Sequence, residues 1–185
     1  VDPDAVIARR DEFLLHVGPA TAELLLSLAV ARGAQRIVEL GTSYGYSTLF
    51  LAEAARRTGG RVSSYELSSE KQAYARAQLE DAGLAALVDW RQGDAVALLD
   101  DEPDGVDFVL IDLWKDLYVP CLDKLYPKLA DQAMLVADNM LFPEMARPDA
   151  EAYRAAVRTK PGMQSVLLPV GAGIELSCLW RGDGG

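Results

Sequence analysis

This sequence of 185 residues has little of what many enzymes use for acid–base and metal chemistry: one histidine, His16, and two cysteines, Cys121 and Cys178. A Ser-His-Asp hydrolase would have to rely on His16, and no G-x-S-x-G nucleophile elbow is expected. His16 itself reads more readily as structural than as catalytic. A zinc site rich in histidine and cysteine is excluded by the same scarcity. The two thiols lie far apart in the chain and form no metal-type pair. Their number suits a reducing, cytoplasmic setting with burial as their role. Basic charge is also short: 18 Lys and Arg stand against 28 Asp and Glu, a net charge of −10. A phosphate backbone would be repelled over most of that surface, so nucleic acid is disfavoured as a partner. No apolar run approaches the roughly 18 residues that span a bilayer, so no membrane partner is expected. The opening Val1-Asp2-Pro3-Asp4 shows no basic stretch leading into an apolar core, so no signal peptide is expected. No G-K-[ST] phosphate loop and no G-x-G-x-x-G dinucleotide fingerprint occurs. Any acid–base or metal chemistry must then come from Asp, Glu, Asn and Lys.

What is present is a chain half hydrophobic in composition, enough for a sizeable core in one domain over residues 1–185. Its pattern alternates. A helix is expected over 21–32, ended by Gly33, then a buried strand over 36–40, the turn Gly41 to Gly45, and a helix over 47–57. A strand over 62–66 follows, and Ser69-x-x-Gln72 resembles a capping box opening the next helix. A short strand over 87–91 and a short helix over 95–99 come next. The apolar run Asp107 to Ile111 reads as a central strand buried on both faces. A helix over 118–125, a strand over 133–137, an irregular loop over 140–148 and a helix over 149–158 continue the series. Strands over 166–170 and 174–180, joined by Gly171-Ala172-Gly173, close it as a hairpin. Such alternation predicts an α/β, Rossmann-like, doubly wound sheet of seven strands. It should be mostly parallel with one antiparallel C-terminal strand and have helices on both faces. Ligands of such sheets bind outside the carboxyl ends of the strands.

Residues with chemistry fall at those ends. After the first strand, Gly41-Thr42-Ser43-Tyr44-Gly45 permits a tight turn and close approach of backbone to a ligand, though a purely structural turn fits as well. Glu66 ends the second strand, where an acid can accept both ribose hydroxyls of an adenosine or simply face solvent. Asp94, in Gly93-Asp94-Ala95, can meet an adenine amino group or cap a helix. Asp112 follows the fourth strand, and Asp138-Asn139 the fifth. Together they offer three hard oxygen ligands suited to Mg²⁺, or to Ca²⁺ or Mn²⁺. The other reading is that they only cap helices. Lys115 lies three residues beyond Asp112 as a candidate base or a surface lysine.

Three stretches resemble the metal-dependent catechol O-methyltransferases and the related caffeoyl-CoA-type O-methyltransferases: Val38 to Ser47, Asp107 to Tyr118, and Ala137-Asp138-Asn139. The resemblance runs from about Phe13 to Trp180. With Trp114 and Lys115 it is closer to the catechol branch. It implies S-adenosylmethionine as cofactor, with Val17, Glu39, Gly41, Thr42, Ser47, Glu66, Asp94, Ala95, Asp112 and Trp114 contacting it. It implies Asp112, Asp138 and Asn139 as metal ligands, Lys115 as general base, and Glu175 as the acid holding a second substrate hydroxyl. Pro143 and Phe13 match walls around a substrate ring. Ser43 departs from the aromatic often found there in the catechol branch, and Asp94-Ala95-Val96 resembles bacterial members. The short N-terminal region leaves closure over the cofactor, and pairing into a homodimer, open.

The expected activity is methyl transfer to a hydroxyl of a catechol-like small molecule, a phenolic substrate, with Mg²⁺ assisting. Two other acceptor classes stay open, a larger natural-product phenol or a CoA ester. A non-catalytic S-adenosylmethionine-binding module would need neither metal nor base. A nicotinamide oxidoreductase is disfavoured by the G-x-x-x-G spacing.

Overall fold

In a computed structural model, which describes residues 17–182, the predicted alternation is realised as one seven-stranded sheet. His16 and Phe13 lie outside the described residues. The elements are α1 (Pro19–Arg32), β1 (Arg36–Leu40), α2 (Tyr46–Thr58), β2 (Arg61–Glu66), α3 (Ser69–Asp81), β3 (Val88–Gln92), α4 (Ala95–Leu98), β4 (Val106–Ile111), α5 (Tyr118–Leu125), β5 (Leu129–Ala137), α6 (Arg147–Thr159), β6 (Met163–Leu168) and β7 (Ile174–Leu179). The strand order is β3-β2-β1-β4-β5-β7-β6. The chain winds outward from β1 to β3, then returns to β4 beside β1. That reversal is the switch point at which such sheets open a crevice. Only β7 runs against its neighbours: it pairs antiparallel with both β5 and β6.

Side chains alternate across the sheet and feed two cores. Ile37, Phe108, Leu110 and Val136 point to the layer of α1 and α2, meeting Leu25, Ala29, Leu51 and Ala55. Val38, Val109, Ile111 and Leu135 point the other way, toward Leu122 and Leu125 of α5 and Val157 of α6. Every residue of β4 is buried, which explains its unbroken apolar run. Each large aliphatic side chain so buried contributes roughly 1.5–3 kcal/mol. No helix among the described residues is long and apolar enough to cross a membrane.

Three local expectations are corrected. The α3 cap is Ser68, not Ser69: its hydroxyl accepts from the Lys71 amide, and Ser69 is already helical. β5 begins at Leu129 rather than at 133, because the strand passes through Gln132 with φ 59° while β4 shifts register between Val106 and Phe108. β6 lies at Met163–Leu168, three residues earlier than expected, where it pairs residue for residue with β7.

Candidate active site

The parallel ladder continues one step past each strand, and this fixes the exits. The Gly41 amide donates to Tyr65 O at 2.9 Å, Gly93 to Glu66 O at 2.9 Å, Asp112 to Leu40 O at 2.9 Å and Asp138 to Ile111 O at 3.0 Å. Four candidate positions are therefore held by backbone bonds to a neighbouring strand, along one edge of the sheet.

Gly41 is required for reasons the sequence could only suggest. Its φ is 101°, and a Cβ there would lie 2.0 Å from the carbonyl oxygen of Asp112. The β1 and β4 exits thus pass in near contact. Beyond it, Ser43 turns at φ 48° and donates its amide to Glu66 Oε2 at 2.8 Å. Glu66 Oε1 accepts the Ser68 amide at 2.9 Å. The Glu66 carboxylate stitches two loops together, yet each oxygen keeps a lone pair for a further donor. The letters of this loop do spell G-x-S-x-G, with the serine at positive φ after a strand. The expectation that no such motif occurs is therefore wrong. The chain's single histidine is not among the described residues, and nothing described supplies a base to Ser43.

Below the loop lies Glu39, whose placement corrects an expectation. Its side chain is fully buried and lines neither cavity of the cleft. Ser47 and Ser64 donate to it at 2.5 and 2.6 Å, and Thr48 at 2.7 Å. Burial pushes its carboxyl up to about 7 against the pull of those hydroxyls. Glu39 therefore supports the start of α2 from beneath rather than touching a ligand. Ser64 and Thr48 were missed. Their signal was Ser64 two places before Glu66, on the same face of β2.

The cleft has two lobes. One, of about 320 Å³, is lined by Gly41, Ser43, Glu66, Asp94, Ala95 and Trp114, with the unpredicted Leu67, Leu113 and Leu117 beside them. The other, of about 300 Å³, is lined by Val17, Thr42, Ser43 and Ser47, with Tyr44, Tyr46, Tyr74 and Gln78. Gly41, Ser43 and Asp112 belong to both lobes. Asp94 caps α4 through the Val96 amide at 3.0 Å, as one of its two readings has it, and it also lines the cleft.

Asp112 lines both lobes, and Lys115 and Asp138 stand behind it, close enough for their charges to act on it but lining neither lobe themselves. Burial, followed by the nearby Asp138 charge, raises Asp112 to about 7. Burial raises Asp138 as well. Burial draws Lys115 down to about 8, although both carboxylates favour its charged form. Lys115 donates to the Tyr118 hydroxyl at 2.5 Å, and that hydroxyl donates to Asp138 O at 3.1 Å. Asn139 sits at φ 57° with its amide on Asp138 Oδ1 at 2.7 Å. Among the described residues no three His, Cys, Asp or Glu side chains converge as a metal cluster. The donor set is two carboxylates and one amide. Two buried carboxylates, both raised by burial and one raised further by the other's charge, are a site a hard cation would relieve, and three oxygen donors suit Mg²⁺, Ca²⁺ or Mn²⁺.

Glu175 is the clear correction. It pairs with Ala137 in the sheet, one residue before Asp138, but its carboxylate turns toward α6 and is fully buried. Arg154 donates to Oε2 at 3.0 Å, while Arg158 and Ser165 donate to Oε1 at 2.9 and 2.7 Å. A carboxylate so occupied has no access to a substrate hydroxyl. Pro143 lies exposed on the loop after β5 and lines neither lobe.

Fold and site together define a doubly wound α/β protein with a nucleotide-type cleft and an acid–lysine cluster at its switch point. A family profile described as O-methyltransferase matches residues 6–179. The catechol O-methyltransferase of Niastella koreensis is 30% identical over 131 residues, covering 69% of this chain and 59% of that protein. Caffeoyl-CoA O-methyltransferase 2 of Eucalyptus globulus is 29% identical over 192 residues, covering 92% of this chain and 77% of that protein. The chain spans about three fifths of the two catechol O-methyltransferases from Niastella koreensis and Bos taurus. The O-methyltransferase TomG from Streptomyces achromogenes, solved with S-adenosylmethionine, superposes with a TM-score of 0.81 at 26% identity, over 97% of this chain and 91% of that one. An O-methyltransferase from Bacillus cereus shares the fold with a TM-score of 0.80 at 24% identity, over 95% and 89% of the two chains. The chain belongs to this O-methyltransferase family.

Proposed function

We propose that the protein transfers a methyl group from S-adenosylmethionine to a hydroxyl of a catechol-like phenol, with a divalent cation assisting. The observation that carries this reading is Asp112 at the junction of a two-lobed cleft, with Lys115 and Asp138 beside it. A cofactor in the cleft supplies a methyl group on a sulfonium sulfur, already a good leaving group. A divalent cation held by Asp112, Asp138 and Asn139 supplies Lewis-acid lowering of a hydroxyl pKa.

The remaining work belongs to the chain. Glu66 accepts hydroxyls of the ribose, and the Gly41 turn lets backbone approach the cofactor. Trp114, Leu113 and Leu117 give the adenine an apolar wall. Lys115, neutral in part because burial lowers its pKa toward 8, takes the acceptor hydroxyl's proton at Nζ. The cofactor would supply the methyl carbon to that oxygen as the carbon–sulfur bond breaks, the electron pair remaining on sulfur. Holding oxygen and methyl in line near contact supplies much of the rate.

A second reading, a larger phenol or a CoA ester, is favoured by one feature. Phe142 and Met145, on the loop after Asn139, are exposed and open to a bulky acceptor. Incubation with labelled S-adenosylmethionine and a panel of catechols, larger phenols and caffeoyl-CoA separates the two. Label on vicinal diols, lost with chelator, is expected. Label on none of the three classes contradicts the proposed activity.

A further inference from the structure

We propose that Tyr118 is a positioning residue that aims the Lys115 amine at the acceptor hydroxyl; this rests on the methyl-transfer reading above. Tyr118 opens α5, and its side chain is fully buried. Its hydroxyl has one proton, and that proton is committed to the carbonyl oxygen of Asp138 at 3.1 Å. Toward Lys115 Nζ, 2.5 Å away, the phenol oxygen can then only accept. This polarity has a chemical consequence. A neutral amine can spend an N–H on Tyr118, but its lone pair finds no donor there and stays free for an incoming hydroxyl. The ammonium can donate to the same oxygen, so the arrangement holds before and after proton transfer.

The ring is fixed as well as the hydroxyl. Tyr153 of α6 meets it edge-on, with centroids 5.5 Å apart at 89°. Lys115 Nζ lies 4.0 Å from the centroid of the Tyr118 ring. The bond to Asp138 O ties the amine to the strand end that carries Asp138, so lysine and carboxylate move together. Tyr153 provides an internal control: its hydroxyl is buried and has no hydrogen-bond partner among the described residues.

The test is a kinetic cycle with catechol as acceptor. Tyr118→Phe removes one oxygen and keeps the ring. It should lower kcat on the order of 10- to 100-fold, as expected for a misaligned base, with both KM values nearly unchanged. S-adenosylhomocysteine should bind as to wild type, and Tyr153→Phe should keep wild-type kcat. In a Lys115→Ala background the same Tyr118→Phe change should cost less than about threefold, because the two residues act as one unit. Wild-type kcat in Tyr118→Phe overturns the proposal. So does a full multiplicative loss in the Lys115→Ala background, which marks a merely structural role. Should Tyr118→Phe not fold, a crystal structure of the wild type with S-adenosylhomocysteine and catechol decides. Lys115 Nζ within hydrogen-bond distance of the Tyr118 oxygen is expected, and separation of the two overturns the role. A wild type that methylates no acceptor removes the reaction reading and this role with it, whereas wild-type transfer with an unaffected Tyr118→Phe removes this role alone.

Discussion

Asp112 and Asp138 at the β4 and β5 ends, and Glu175 on β7, are buried acids in opposite situations. Glu175 lies opposite Ala137, next to Asp138 in the chain, yet two guanidiniums and a serine hydroxyl satisfy it. Among the described residues Asp112 and Asp138 share a single lysine, so two carboxylates face one cation, and burial lifts both of their pKa values. An over-satisfied acid is structural, fastening α6 to the β6–β7 pair. An under-satisfied pair is the place where a cation, a proton or a polar substrate gains most. Burial alone does not separate the two; the count of opposing charges does.

The largest effect should come from the under-satisfied side. Lys115→Ala should lower kcat on the order of 10² to 10⁴-fold, with some loss of thermal stability because Asp112 and Asp138 lose the lysine that faces them. Steady-state kinetics beside a melting curve reads both. Glu175→Ala should spare the rate and cost stability alone. It leaves two guanidiniums facing each other without their acid. The usual cost of breaking a buried pair is reduced here to about 2 kcal/mol because both arginines reach water. Denaturant unfolding should show that loss, with kcat per folded molecule retained. A Glu175→Ala variant that folds well but cannot methylate would return Glu175 to the substrate site.

Gly41→Ala falls between the two sides. A methyl group aimed at the Asp112 carbonyl, at positive φ, should destabilise the fold by about 1–3 kcal/mol and weaken S-adenosylhomocysteine binding, read by calorimetry. The pH dependence is subtler. Lys115 must be neutral to act, and its pKa lies at about 8. The rate should therefore rise with pH, level off above about 8, and lose that limb in Lys115→Ala. A limb that survives the substitution assigns it to another group. The smallest effect belongs to Arg76→Ala on α3. It breaks an exposed pair with Glu80 at 3.0 Å and should move stability by less than about 0.5 kcal/mol.

The sequence makes the strand exits legible because a strand buried on both faces leaves its mark as an apolar run, and the polar residue that ends the run is the exit. Gly41, Asp112 and Asp138 are found this way, whereas Glu66 and Asp94 follow mixed, partly exposed strands and are found from the alternation of elements. Directions of side chains are less legible. Glu39 and Glu66 both belong to strand-end motifs, but Glu39 turns under the loop, where Ser47, Thr48 and Ser64 meet it. Glu175 was placed by resemblance alone. The i, i+4 spacing of Arg154 and Arg158 argues against that placement, because it puts two cations on one helix face in want of an acid. Tyr118 stood inside a quoted motif, three residues after Lys115, but only the fold shows that its single proton is committed to Asp138 O. The β5 boundary was hidden because Asp131 and Gln132 interrupt the apolar pattern where the strand bends.

The most direct test of the account is transfer of labelled methyl from S-adenosylmethionine to a catechol by the wild type and by Asp138→Ala, each with Mg²⁺ and with chelator, beside their S-adenosylhomocysteine affinities. The account predicts transfer by the wild type with Mg²⁺ only, none by Asp138→Ala, and similar affinity in both. Undiminished transfer by Asp138→Ala, or by the wild type in chelator, would contradict it.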